Sequence, residues 1–209
     1  MTEDHVNNAI KDALNGKSAI HPDVLKITGF ATETQRHLAS NLCWGLHSYL
    51  EVGLYGGSSF CAAFSNNLTL RGCGIENKSQ PFHNETVFTE LEANLDKFVA
   101  LGQAAVCWDD CWTIAKPLPF APFDFFYYDG EHSRESQAKA LPHFLDSMAD
   151  QFLFMVDDWN WSDVHGGNEI GFLALSDKIK IDQQWIFLTD HQDHPVWHNG
   201  VAIFLISKR

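Results

Sequence analysis

Two kinds of hydrophobic run alternate along this chain. Short, nearly unbroken apolar stretches rich in aromatic and β-branched residues lie near 48–54, 70–76, 104–109, 123–129 and 151–157. Their length and composition suit strands buried on both faces of a parallel sheet. Between them, apolar residues recur at helical spacing over 57–66, 84–101, 133–148 and about 164–178, with only a short irregular stretch between the third and fourth strands. Strands separated by helices predict an α/β fold with a doubly wound sheet. The end of the chain differs: Gln184 to Thr189 and Gly200 to Ile206 are strands joined by the polar segment Asp190 to Asn199, with no helix between. An antiparallel hairpin should therefore close a mostly parallel sheet of seven strands. Ahead of the first strand the chain is polar, with a helical pattern from Val6 to Leu14, a breaker at His21-Pro22, and a capped start at Thr32-Glu33-Thr34-Gln35 leading into Leu38, Leu42 and Leu46.

Charge then removes some classes of function. Acids outnumber bases 27 to 14, for a net charge of −13, which argues against a nucleic-acid surface, because such binding relies on Lys and Arg to displace counterions. A polybasic membrane patch is equally absent. Met1-Thr2-Glu3-Asp4-His5 has neither the basic flank nor the apolar core of a signal peptide, and no apolar run approaches the roughly 18 residues of a membrane span. A cytoplasmic protein is expected. The 209 residues, 45% hydrophobic, suffice for one core and so for one domain. Cys43, Cys61, Cys73, Cys107 and Cys111 form an odd set without paired metal-ligand spacing and read as free thiols. Asn67-Leu68-Thr69 and Asn84-Glu85-Thr86 match the glycosylation pattern, without consequence in a protein that is not secreted.

The strand ends carry the chemistry. Open α/β sheets bind ligands at their carboxyl edge, and here strand after strand ends there in acid: Glu51-Val52-Gly53-Leu54-Tyr55-Gly56-Gly57-Ser58, Gly74-Ile75-Glu76, Asp109-Asp110, Tyr128-Asp129-Gly130-Glu131-His132 and Val156-Asp157-Asp158-Trp159. Gly53 permits a tight turn, Gly56-Gly57 would let backbone approach a ligand, and Ser58 and Ser59 could cap the next helix. This loop is not G-x-G-x-x-G, and Glu51 would repel a pyrophosphate. Glu76 stands 23 residues past Gly53, where an acid in such folds accepts ribose hydroxyls.

The ordered set of five motifs resembles the class I S-adenosylmethionine-dependent methyltransferases over roughly residues 45–209. The resemblance implies a Rossmann-like methyltransferase domain spanning 1–209, with a helical cap at 1–45 and a cofactor-binding core at 46–209. It implies that Glu51 and Gly53, with Gly57 and Ser58 of the same loop, line the methionine end of S-adenosylmethionine, that Glu76 holds the ribose, and that Asp109 or Asp110 sits near the adenine amino group; Asp129 would join the cofactor contacts. The last two motifs resemble a branch of metal-dependent small-molecule O-methyltransferases that includes sugar-modifying enzymes. By that likeness Asp129, Asp157 and Asp158 would bind Mg²⁺ or another divalent cation, Glu131 would stand where the branch has its general base, in place of an Asp, and His132 is the alternative base. Hard carboxylate oxygens suit such an ion, which lowers the pKa of a bound hydroxyl.

Other readings stay open. An NAD-dependent Rossmann protein would share the glycine turn but should carry G-x-G-x-x-G, and a non-catalytic cofactor binder would not need Asp129, Asp157 and Asp158. His191, His194 and His198 are broken by Pro195 and read as a surface hairpin loop; His165-Gly166-Gly167 reads as a loop before a helix. Trp159, Trp161, Trp185, Trp197 and Phe172 either fill the core or stack on an acceptor. The expected partner is a small-molecule acceptor, with a hydroxyl oxygen favoured and transfer to nitrogen or carbon left open, with no nucleic acid and no membrane; a homo-oligomer is also left open.

Overall fold

The apolar runs become seven strands of one sheet in a computed structural model that describes residues 1–78 and 85–209. The strands are β1 (Ser48–Val52), β2 (Arg71–Ile75), β3 (Ala104–Cys107), β4 (Phe123–Tyr128), β5 (Met148–Asp157), β6 (Ile179–Phe187) and β7 (Val201–Lys208), in the order β3-β2-β1-β4-β5-β7-β6. Pairing is parallel from β3 to β5 and antiparallel at β5–β7 and β7–β6. Parallel strands of β1 and β4 set Val52 beside Tyr128, and β4 and β5 set Tyr128 beside Val156, so the acids that follow emerge along one edge.

Both faces of the sheet are covered, as the continuous apolar runs require. Leu50, Phe126, Tyr128, Phe154 and Phe204 meet α5 (Arg134–Phe144) and α6 (Ser162–Ala174) through Leu141, Phe144 and Val164. Tyr49, Phe125, Tyr127, Met155 and Ile203 meet α1 (Glu3–Leu14), α2 (Glu33–Cys43), α3 (Ser58–Phe64) and α4 (Glu85–Phe98) through Val6, Ile10, Leu38, Phe60 and Leu91. Successive residues of β4 thus serve opposite layers, the two-residue period of a strand. The capping box read at Thr32 forms: the Gln35 N–H donates to Thr32 Oγ1 at 3.1 Å and the Thr32 N–H donates to Gln35 Oε1 at 2.8 Å.

Several boundaries move. Helix α5 stops at Phe144, with Pro142 denying its last turn an N–H, and after a 3₁₀ turn β5 begins at Met148 rather than 151. Helix α6 starts at Ser162, so His165-Gly166-Gly167 lies inside it and not in a loop before it. Strand β6 begins at Ile179, five residues before the expected start; it is the edge strand, and its alternation of apolar and charged residues hides it among loop-like sequence. Strand β3 ends at Cys107, which leaves Asp109-Asp110 in the loop beyond it. Ser58 and Ser59 do not cap α3; its N-cap is Gly57, with no side-chain cap bond. Asn84, the expected start of α4 and a glycosylation candidate, lies outside the described residues. All five cysteines are free, and only Cys107 is less than fully buried. Among the described residues no helix is long and apolar enough to cross a membrane.

Candidate functional site

A cavity of about 790 Å³ opens at the carboxyl ends of β1, β2, β4 and β5, where the sequence placed a ligand. Its wall includes Gly53, Glu76, Asp109, Asp110, Asp129, Glu131, His132, Asp157 and Asp158. Glu51, Gly57 and Ser58, expected at the cofactor's methionine end, are not part of that wall.

Glu51 is fully buried behind it. Tyr49 Oη donates to one carboxyl oxygen and Ser59 Oγ to the other, each at 2.5 Å, and burial pushes the carboxyl up to about 8. Gly53 holds φ +89°, and a Cβ there would stand 2.0 Å from the Asp129 carbonyl oxygen. The close approach that demands glycine is therefore to β4's own exit, which brings the two motifs into contact. Gly57 (φ +80°) faces Leu91 of α4, and Ser58 is buried against Gly29. Glu76 faces the cavity but already serves the loop: one oxygen accepts the N–H groups of Leu54 (3.0 Å) and Tyr55 (3.1 Å), the other that of Lys78 (2.9 Å). Asp109 accepts the Asp110 N–H and Asp110 that of Trp112, so this loop is shaped by its own acids.

On the β4–β5 side the acids meet a histidine. His132 Nε2 lies 3.0 Å from Asp158 Oδ2 and 3.7 Å from Asp129 Oδ1. The contact is an ion pair without an aligned hydrogen bond, because Nε2 is buried yet has no partner of good geometry. One potential ligand atom from each of Asp129, His132 and Asp158 lies within 4.8 Å of the others. Burial alone would lower the imidazole's pKa, but the two carboxylates outweigh it and push it up to about 10. Burial likewise lifts Asp129 to about 6 against the pull of His132. For Asp158 burial is outweighed by His132 and by Asn199, whose Nδ2 donates to Oδ1 at 2.7 Å, and the carboxyl sits below its ordinary range.

Asp157, named with Asp129 and Asp158 from the sequence, is committed elsewhere. Gln35 Nε2 (2.9 Å) and the Asp158 N–H (3.0 Å) donate to its Oδ1, and Tyr127 Oη (2.6 Å) to its Oδ2. Burial, then the charges of Asp129 and Asp158, drive its pKa well up. The structure thus groups Asp129, His132 and Asp158, with Asp157 beneath them. Mutual repulsion of the three acids is relieved by His132 and by the raised pKa of Asp157. Glu131 stands at the start of α5, where Ser136 Oγ donates to its carboxylate at 2.6 Å.

Sequence reasoning missed His198 and Asn199, which line the cavity from the β6–β7 connection. That segment was read as a surface loop. His191 is exposed, and His194 Nδ1 accepts the N–H groups of Val196 and Trp197, but the ring of His198 turns inward to 6.3 Å from Phe30. It also missed Gln35, although the capping box placed that side chain, and Phe30, Tyr55, Trp112 and Tyr128 of the wall. Of the aromatic surplus, Trp161 lines the cavity, Trp159 and Phe172 pack on Phe204, Trp197 stacks on Phe187 at 4.4 Å, and Trp185 Nε1 donates to Asn7.

No protein-family model and no curated protein matches the sequence. Solved structures do match the fold. An O-methyltransferase from Bacillus cereus in complex with SAH superposes with a TM-score of 0.63 at 11% identity, covering 99% of this chain and 92% of that one. The SAH-bound Podospora anserina methyltransferase PaMTH1 gives 0.58 at 13%, over 100% and 89%. The M. capricolum protein TrmK, in complex with S-adenosyl-homocysteine, gives 0.55 at 13%, over 88% and 70%. At such identities the likeness establishes the fold: a mostly parallel seven-stranded sheet of the Rossmann-like methyltransferase type.

Proposed function

We propose that this protein transfers a methyl group from S-adenosylmethionine to a hydroxyl oxygen of a small molecule held beside Asp129, His132 and Asp158. The observation that carries the reading is the convergence of these three side chains within 4.8 Å, in the same cavity wall as Gly53 and Glu76. The glycine turn and the ribose-like acid stand on one side of the cavity, the polar trio on the other, and the SAH-bound neighbours share the sheet that arranges them.

A divalent cation fits the trio. Two carboxylates and an imidazole, whose buried Nε2 has no aligned partner among the described residues, form a donor set whose oxygens suit Mg²⁺ or Mn²⁺ and whose nitrogen favours Mn²⁺ of the two. When bound, such an ion lowers the pKa of an acceptor hydroxyl and S-adenosylmethionine supplies the methyl group. The chain's own residues do the rest. Glu76 holds the Leu54–Tyr55 backbone in the conformation that shapes the cofactor end. Asp157, tied to Gln35 and Tyr127, forms a floor under Asp158. Glu131, fixed by Ser136, takes the acceptor's proton. His132 is the poorer base, since its Nε2 would be taken up by the ion when one is bound and, without it, is held between two carboxylates that keep it protonated.

Calorimetry with S-adenosylhomocysteine and with NAD tests the cofactor: the first should bind and the second should not. With an acceptor in hand, EDTA should remove turnover and Mg²⁺ or Mn²⁺ should restore it. Full turnover in chelator would discard the cation and leave Glu131 acting alone.

A further inference from the structure

The charge and shape of the cavity mouth say what kind of acceptor it takes. Eight of the 22 residues that line the cavity are acids, and among the described residues no Lys or Arg lines it. At the mouth an aromatic arc adds to this field. Phe30, 62% exposed, lies with its ring centroid 5.2 Å from that of Tyr55 and 6.3 Å from that of His198. His198 Nδ1 is in turn 3.6 Å from Asp193, and the neighbouring Asn199 leads directly to Asp158. Deeper in the wall, Tyr128 is 1% exposed, and among the described residues neither its hydroxyl nor the buried indole N–H of Trp161 has a hydrogen-bond partner. Buried polar atoms left unpaired are costly and mark places where a ligand completes the bonding.

We infer that the acceptor is an amine-bearing ring compound, whose ammonium rests at the mouth against Phe30 and Asp193 while its hydroxyl reaches Asp129, His132 and Asp158. An aromatic face beside a carboxylate attracts an ammonium by ring quadrupole and by charge. An acceptor that presents a phosphate or a carboxylate to the mouth meets like charge there and is disfavoured. The inference deepens the methyl-transfer reading and rests on it for the word acceptor, but its charge preference is measured by binding alone.

The test titrates benzylammonium, benzyl alcohol and benzoate into the full-length chain, once free and once saturated with S-adenosylhomocysteine, followed by calorimetry. Benzylammonium should bind about tenfold more tightly than benzyl alcohol, a margin of about 1.4 kcal/mol, and benzoate should not saturate. Phe30→Leu and Asp193→Asn should each shrink that margin. Equal binding of benzoate, no binding of benzylammonium, or a margin that survives both substitutions and so reflects only net charge, would overturn the inference. Failure of S-adenosylhomocysteine to bind would instead remove the methyl-transfer reading, with the preference still measured on the free chain.

Discussion

On the β1–β2 side of the cavity Glu51 and Glu76 bind the chain to itself, and on the β4–β5 side Asp129 and Asp158 face the space where a ligand would sit. Among the described residues Glu51 and Glu76 accept five donors between them, two hydroxyls and three backbone N–H groups. Asp129 and Asp158 share one imidazole that lacks an aligned bond. The same sequence device, an apolar strand ending in acid, therefore shapes a loop in one place and leaves a reactive cluster in the other. A strand-end acid becomes available chemistry only where neighbouring backbone and hydroxyl donors do not consume it.

The contact that joins the halves is the place to break both at once. Gly53→Val would set a branched side chain against the Asp129 carbonyl, 2.0 Å from the Cβ position, at a φ of +89°. It should cost about 3 kcal/mol or more of stability and abolish S-adenosylhomocysteine binding. A normal urea midpoint with unchanged calorimetry would mean that the halves do not depend on this junction. Next comes the adjacent pair within one half. Asp157→Ala should lower unfolding stability by about 2–4 kcal/mol, because Gln35 and Tyr127 lose a buried acceptor. Asp158→Asn should cost less stability than that, because its amide oxygen can still accept from Asn199, and should reduce turnover about 100-fold or more, since even the outer partners of a metal or catalytic ligand are worth 10–100-fold. If the two substitutions behave alike, the division of labour assigned to them is wrong.

Glu76→Ala sharpens the contrast from the other side. Releasing Leu54 and Tyr55 should weaken S-adenosylhomocysteine binding by about 1.5–3 kcal/mol in calorimetry, the range of hydrogen bonds to a charged group. The effect at Glu51 is a slope rather than a step. Its folded-state pKa, raised to about 8 from 4.5, means the folded chain holds a proton that the unfolded chain releases between those values. Stability from this group is complete below about pH 4.5 and declines as pH rises toward 8, by at most about 1.4 kcal/mol per pH unit. Glu51→Gln should flatten that decline, so its denaturation midpoint gains on the parent from pH 5 to 8; parallel curves would place Glu51 in contact with water.

The strand pattern was legible because burial on both faces writes itself as continuous apolar sequence, and the acids were legible because they end it abruptly. What periodicity does not carry is which way an acid points once the strand stops. Asp158 adopts φ +54°, leaving extended geometry and turning from the floor occupied by Asp157 toward His132. Nothing in Val156-Asp157-Asp158-Trp159 distinguishes the two. Glu51 sits inside its strand and follows the pleat into the α3 layer, where Ser59 receives it. Asn199, His198 and Gln35 were out of reach because they arrive from segments far away in sequence, and only the assembled sheet brings them to the cavity.

Strand order also sets a timetable for the growing chain. Strand β7 is inserted between β5 and β6, so neither neighbour can bond along that side until the final strand has been made. A nascent chain that has emerged only as far as Phe187 exposes the edge of β5, ten residues from Met148 to Asp157 that include Phe152-Leu153-Phe154-Met155-Val156. Such an edge invites pairing with β6 in the wrong register or with another chain. Asn199 reaches Asp158 with the same segment, so the cavity acquires this part of its wall only when β7 is made. A ribosome that stalls shortly before Val201 would release a chain both unable to bind its ligand and prone to aggregate.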